Sequence, residues 1–110
     1  MKRALPRRAV IKVGTSTLTG QDGTLDAAYI QALAQQLDQL MRSGVEPLLV
    51  TSGAIRAGLS LLTDCRTCRT PAQALPLPMK QAAAAVGQSL LMQTYSAALE
   101  QCGRTCGQVL

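Results

Sequence analysis

Apolar residues fall into short runs and one long stripe along the chain, and the spacing of each predicts an element. Residues 9–13, Ala-Val-Ile-Lys-Val, form a β-branched run between arginines and Gly14, the pattern of a buried strand. Residues 15–24 are rich in Thr, Gly and Asp and predict a loop. Asp26 is placed to cap a helix, because its carboxylate can accept a free N–H of the first turn. Beyond it Ile30, Leu33, Ala34, Leu37, Leu40 and Met41 recur at helical spacing as one apolar stripe, with Gln31, Gln35, Asp38, Gln39 and Arg42 assigned to the surface. Gly44 suits the position where the chain leaves the helix. Pro47 opens a second strand, Leu48-Leu49-Val50-Thr51, since a proline is tolerated at a strand's first residue. Ser52-Gly53-Ala54 follows, then a helix-compatible stretch to about Leu62.

Residues 63–78 hold Pro71, Pro76 and Pro78 and predict an irregular loop. Residues 79–101 read as a long alanine-rich helix with Gly87 in its interior, where glycine costs roughly 1 kcal/mol against alanine. The small surface from Ala82 to Gly87 therefore implies close approach of another backbone. Gly103 ends this helix, and residues 107–110 begin a third apolar run. Strand–helix–strand–helix–helix–strand, without hairpin signals, predicts an α/β fold: a parallel sheet with helical crossovers, truncated after the start of its third strand. Ligands of such sheets bind beyond the carboxyl ends of the strands. Gly14-Thr15-Ser16 and Ser52-Gly53-Ala54 are both expected there, along one edge.

Composition narrows the function. With 47% hydrophobic and 15% charged residues the chain is globular, and with two tyrosines, no Phe and no Trp its core must be aliphatic. The net charge of +5 favours an anionic partner. Lys2, Arg3, Arg7 and Arg8, however, read as a solvated terminus, and the aromatics that stack on single-stranded nucleic acid are missing, so nucleic acid is not an expected partner. No apolar segment approaches the ~20 residues of a membrane span, and Lys12 interrupts any signal-like stretch; a cytoplasmic location is expected. Cys65, Cys68, Cys102 and Cys106 form two close pairs that faintly suggest zinc, but no histidine is present and reduced thiols are the expectation.

Chemistry concentrates at the two strand ends. Lys12-Val13-Gly14-Thr15-Ser16 combines a point charge, a glycine that lets main chain approach an oxyanion, and two hydroxyls. Phosphoryl transfer requires mainly positioning and charge neutralisation, which this loop suits. The alternative is a solvated lysine beside an ordinary turn. Ser52 offers a hydroxyl, and Gly53 and Ala54 offer N–H groups at a helix start, where an anion is favoured; equally, Ser52 can be a simple cap and Gly53 a tight turn. Neither G-x-x-x-x-G-K-[ST] nor G-x-G-x-x-G occurs. The six acids are scattered and none pairs near these loops, although magnesium needs carboxylate or phosphate oxygens.

Taken in order, AVIKVGTSTLTG, LLVTSGAIRAG and KQAAAAVGQSLLMQTYSAAL resemble the gamma-glutamyl kinases of the amino-acid kinase family, over about residues 10–110. The resemblance implies ATP- and Mg2+-dependent phosphorylation of the side-chain carboxylate of L-glutamate to L-glutamyl 5-phosphate, the first step of proline biosynthesis. It implies that Lys12 contacts the ATP phosphates and stabilises the moving phosphoryl group. Gly14, Thr15 and Ser16 would be the phosphate-side loop, Ser52 a glutamate-binding serine continued by Gly53 and Ala54, and residues 80–88 packing around that pocket. The family's later aspartate and asparagine, its second lysine and its adenine pocket have no counterpart. Residues 1–110 are thus expected to be the N-terminal portion of an amino-acid kinase domain, inactive alone, from a parent that is a homo-oligomer. Two alternatives stay open: a noncatalytic interaction module that keeps the fold, and a kinase of the same fold with another acid substrate.

Overall fold

A computed structural model describes residues 4–20, 22–62 and 75–109. Its elements are β1 (Arg8–Val13), α1 (Thr15–Leu18), α2 (Ala27–Arg42), β2 (Glu46–Thr51), α3 (Ala54–Leu62) and α4 (Leu77–Glu100). β1 and β2 pair in parallel, from Arg8 opposite Glu46 to Val13 opposite Thr51. The α/β class and the helical crossover are as the sequence predicts.

Alternation along the strands decides which face is covered. Val13 joins Leu18, Ile30, Leu33, Ala34, Leu37, Leu91, Tyr95, Ala98 and Leu99 in the core, and Ile11 and Leu49 pack against it. α2 and α4 therefore lie on one face of the sheet. On the other, Val10, Lys12, Leu48 and Val50 are exposed. The strand expected to be buried is thus covered on one side only, among the described residues.

Asp26 caps α2 as expected, its carboxylate accepting from the Tyr29 N–H at 3.0 Å. Asp38 departs from expectation. Assigned to the surface, it is buried, because Arg104 and Arg42 reach it at 2.8 and 3.0 Å and compensate its charge. These contacts, with the hydrogen bond from Arg104 foremost, hold its pKa below the usual carboxylate value.

Three further differences concern boundaries. Residues 15–18, predicted as loop, form α1, with the Thr19 N–H bonded to the Thr15 carbonyl at 3.1 Å. Four residues are too few to carry a visible period, and Leu18 alone is buried there. α4 starts at Leu77, inside the predicted linker, because Pro78 stands in its first turn, where no N–H is needed. Finally, residues 107–109 join no ladder, and the described sheet has two strands. An apolar run becomes a strand only through a ladder partner, and residues 107–109 have none among the described residues.

The close approach expected at Gly87 is present. A Cβ there would collide with the Ala54 carbonyl oxygen, and one at Gly58 with that of Ala83. Two glycines thus let α3 and α4 cross backbone to backbone. Cys102 and Cys106 are free and half-buried, Cys65 and Cys68 lie outside the described residues, and no metal-binding cluster exists among those described.

Candidate functional site

The parallel register brings the ends of β1 and β2 side by side, so the two loops meet. The Ser52 N–H donates to the Val13 carbonyl at 3.2 Å, extending the ladder by one bond. Beyond it the side chains touch: Thr15 Oγ1 and Ser52 Oγ lie 3.0 Å apart. Residues 37 positions apart in sequence share a hydrogen bond at the tip of the sheet.

Each loop presents main-chain donors. At Gly14 the backbone is extended, and its carbonyl takes the Thr17 N–H at 3.2 Å, opening α1. The N–H groups of Gly14, Thr15 and Ser16 find no acceptor among the described residues. A Cβ at Gly14 would meet nothing, so space lies open in front of these donors. In the second loop Gly53 has φ +106, a left-handed conformation that side chains disfavour, and its carbonyl accepts from Ala57 at 2.9 Å. The Gly53 and Ala54 N–H groups, at the start of α3, have no acceptor among the described residues. Behind them Gly87 stands against the Ala54 carbonyl.

Lys12 stands beside Val50 on the uncovered face and is exposed, without ion pair or hydrogen bond to any described residue. Three arginines are committed: Arg8 to Glu46 at 2.7 Å, Arg42 and Arg104 to Asp38. The edge therefore carries one uncommitted lysine, three hydroxyls and two fringes of N–H groups. This donor set suits the oxygens of a phosphate or carboxylate. Among the described residues it offers a magnesium ion no carboxylate: Asp26 caps α2, Asp22 accepts from Thr24, and Asp38 and Glu46 are paired with arginines.

Two residues at this edge carry no signal that sequence reasoning used. Tyr95 is buried on α4, and its hydroxyl lies 3.0 Å from Thr51 Oγ1. Ala83, Gly87, Leu91 and Tyr95 recur every fourth residue along one buried face. A tyrosine at the end of such a stripe must find a partner for its hydroxyl, and that is the signal available. Burial raises the Tyr95 pKa, so the phenol stays neutral.

A cavity of about 630 Å³ adjoins this edge, between β2, α4 and residues 104–109, with Thr51 and Tyr95 in its wall. It is lined by none of the predicted site residues, and its cation, Arg104, is engaged by Asp38. The unengaged main-chain donors described above lie at the strand tips, not in this slot.

Residues 7–110 match the model of the amino acid kinase family. The chain is 42% identical over 104 residues to glutamate 5-kinase 1 of Bacillus subtilis (strain 168), covering 94% of this chain and 27% of that protein. Glutamate 5-kinase of Trichlorobacter lovleyi is 44% identical over 104 residues, 94% of this chain and 26% of its own length. For glutamate 5-kinase of Clostridium tetani the figures are 41%, 94% and 37%. The chain thus spans between 26% and 37% of the length of these relatives.

Proposed function

The chain belongs to the amino acid kinase family, and from that premise we propose that it carries the phosphoryl-transfer loop and part of the acid-binding site of a glutamate 5-kinase. It is the N-terminal portion of the kinase domain, and the complete protein is a homo-oligomeric cytoplasmic enzyme. No helix among the described residues is long and apolar enough to cross a membrane. The reaction moves the γ-phosphoryl group of ATP to the side-chain carboxylate of L-glutamate, giving L-glutamyl 5-phosphate and ADP and opening proline biosynthesis. One observation carries the reading: the 3.0 Å bond between Thr15 and Ser52 joins a phosphate-type loop to an acid-type loop. Donor and acceptor of a phosphoryl group must be held within contact distance.

Lys12 neutralises charge on the transferring phosphoryl group. The N–H groups of Gly14, Thr15 and Ser16, with the Thr15 and Ser16 hydroxyls, hold phosphate oxygens. Ser52, Gly53 and Ala54 hold the glutamate. Magnesium, when bound, would neutralise phosphate charge, and here its ligands would come from ATP oxygens and water, since these loops supply no carboxylate.

The test is made in the complete kinase polypeptide. Lys12→Ala should lower kcat by about 10²–10³-fold with a smaller change in the KM for glutamate. Unaltered turnover would refute the role of Lys12. A panel of acids should single out glutamate, in keeping with the names of the relatives. A second reading, a noncatalytic interaction module, draws on the exposed Val10, Leu48 and Val50 face. It predicts self-association without nucleotide affinity in ultracentrifugation and ATP titration.

A further inference from the structure

The Ser52 turn is held from behind by a relay that starts on α4. Tyr95 is 3% exposed, and its hydroxyl lies 3.0 Å from Thr51 Oγ1. Thr51 Oγ1 in turn donates to the main-chain carbonyl of Ser52 at 3.3 Å. Thr51 has a single hydroxyl proton. Given to the Ser52 carbonyl, it leaves Thr51 as the acceptor toward Tyr95, and the proton between those two oxygens belongs to the tyrosine. The relay runs from the Tyr95 O–H through Thr51 to the Ser52 carbonyl.

That carbonyl shares a planar trans peptide with the Gly53 N–H, and the two point in opposite directions. Holding the carbonyl therefore aims the N–H. This matters at Gly53, which lacks a side chain and sits at φ +106, so nothing of its own restricts the rotation of that peptide. The other restraints on the turn act on different atoms: the Ser52 N–H on Val13, the Ser52 hydroxyl on Thr15, and Gly87 against the Ala54 carbonyl.

We propose that Tyr95 is a positioning residue for the acid substrate: acting through Thr51, its hydroxyl aims the Gly53 N–H into the pocket at the strand tips. Tyr95 touches no substrate. The substrate half of this inference rests on the reading that the turn at Ser52 holds glutamate, while the relay stands on the hydrogen bonds alone.

The test uses Tyr95→Phe, Thr51→Val and their combination, each of which keeps the packing volume, with Thr51→Ser as the variant that restores a hydroxyl. In the 15N-labelled chain, the Gly53 amide resonance should move in Tyr95→Phe and Thr51→Val alike and stay in Thr51→Ser, with Gly44, next to the opposite end of β2, as a fixed control. In the complete polypeptide, Tyr95→Phe and Thr51→Val should each raise the KM for glutamate about three- to tenfold, the value of one hydrogen bond, with the KM for ATP within about twofold. The double variant should lose no more than either single one, because both break the same relay. An unmoved Gly53 resonance, an unchanged glutamate KM in the single variants, or additive losses in the double variant would overturn the proposal. A wild-type protein that neither binds nor phosphorylates glutamate, with Gly53 still responding to Tyr95→Phe, would overturn the glutamate reading and uphold the relay.

Discussion

The two loops at the strand tips are built differently. The second is pinned from several sides: its Ser52 N–H bonds to β1, its hydroxyl meets Thr15, Thr51 ties it to α4, and Gly87 backs Ala54. The first is nearly free. Gly14 and Ser16 are exposed, α1 is four residues long, and Gly14 has open space where a side chain would project. A small acid must be presented in one orientation, which calls for a rigid cradle. A polyphosphate brings its own charge and can order an open loop of amides around itself. The glycines of the two loops therefore differ: Gly53 and Gly87 are required by the fold, whereas nothing in the fold requires Gly14, as suits the phosphate-facing role proposed for it.

Substitutions sharpen that contrast. Gly87→Ala drives a methyl group into the Ala54 carbonyl and should cost about 3 kcal/mol in urea unfolding, the upper end of the overpacking range. A loss under about 1 kcal/mol would mean that α3 and α4 can part freely. Gly53→Ala meets only ordinary contacts, from Leu18 and Thr15, but imposes a side chain on φ +106. It should cost about 1–2 kcal/mol through the backbone alone.

Acid should loosen the molecule in part through Asp38. Its pKa is lowered in the folded protein, first by the hydrogen bond from Arg104, so its contribution is complete above the unfolded value of about 3.9 and disappears as pH falls through the lower, folded value. Asp38→Asn should therefore be less stable at pH 7 and flatter in its stability profile below about pH 4. An unchanged acid profile would remove Asp38 from the account. The smallest effect on stability belongs to Gly14→Ala, within about 0.5 kcal/mol of wild type, because nothing crowds the site. The same change should weaken nucleotide binding about tenfold in a titration, since a methyl group then stands between the amides and the phosphate.

The meeting of the two loops was legible where local chemistry and topology coincide. A lysine, a glycine and hydroxyls after one apolar run, and Ser-Gly-Ala after the next, are visible in the sequence, and parallel pairing brings such ends together. Less legible was everything that depends on a distant partner. Asp38 stands at a polar-looking helix position and is buried only because Arg104 arrives from beyond α4. Tyr95 and Thr51 are ordinary until α4 lies against β2. The apolar run at residues 107–109 has strand composition, but composition does not supply a ladder. Gly87 went the other way: an interior glycine is costly enough to announce a close crossing before its partner is known.

The most direct measurement is a structure of the complete polypeptide with a non-hydrolysable ATP analogue and glutamate. The account predicts the terminal phosphate between the Lys12 ammonium and the Ser52 hydroxyl, with its neighbouring oxygens on the amides of residues 14–16. Phosphates seated away from both strand tips, with Lys12 extended into solvent from the uncovered face of the sheet, would contradict it.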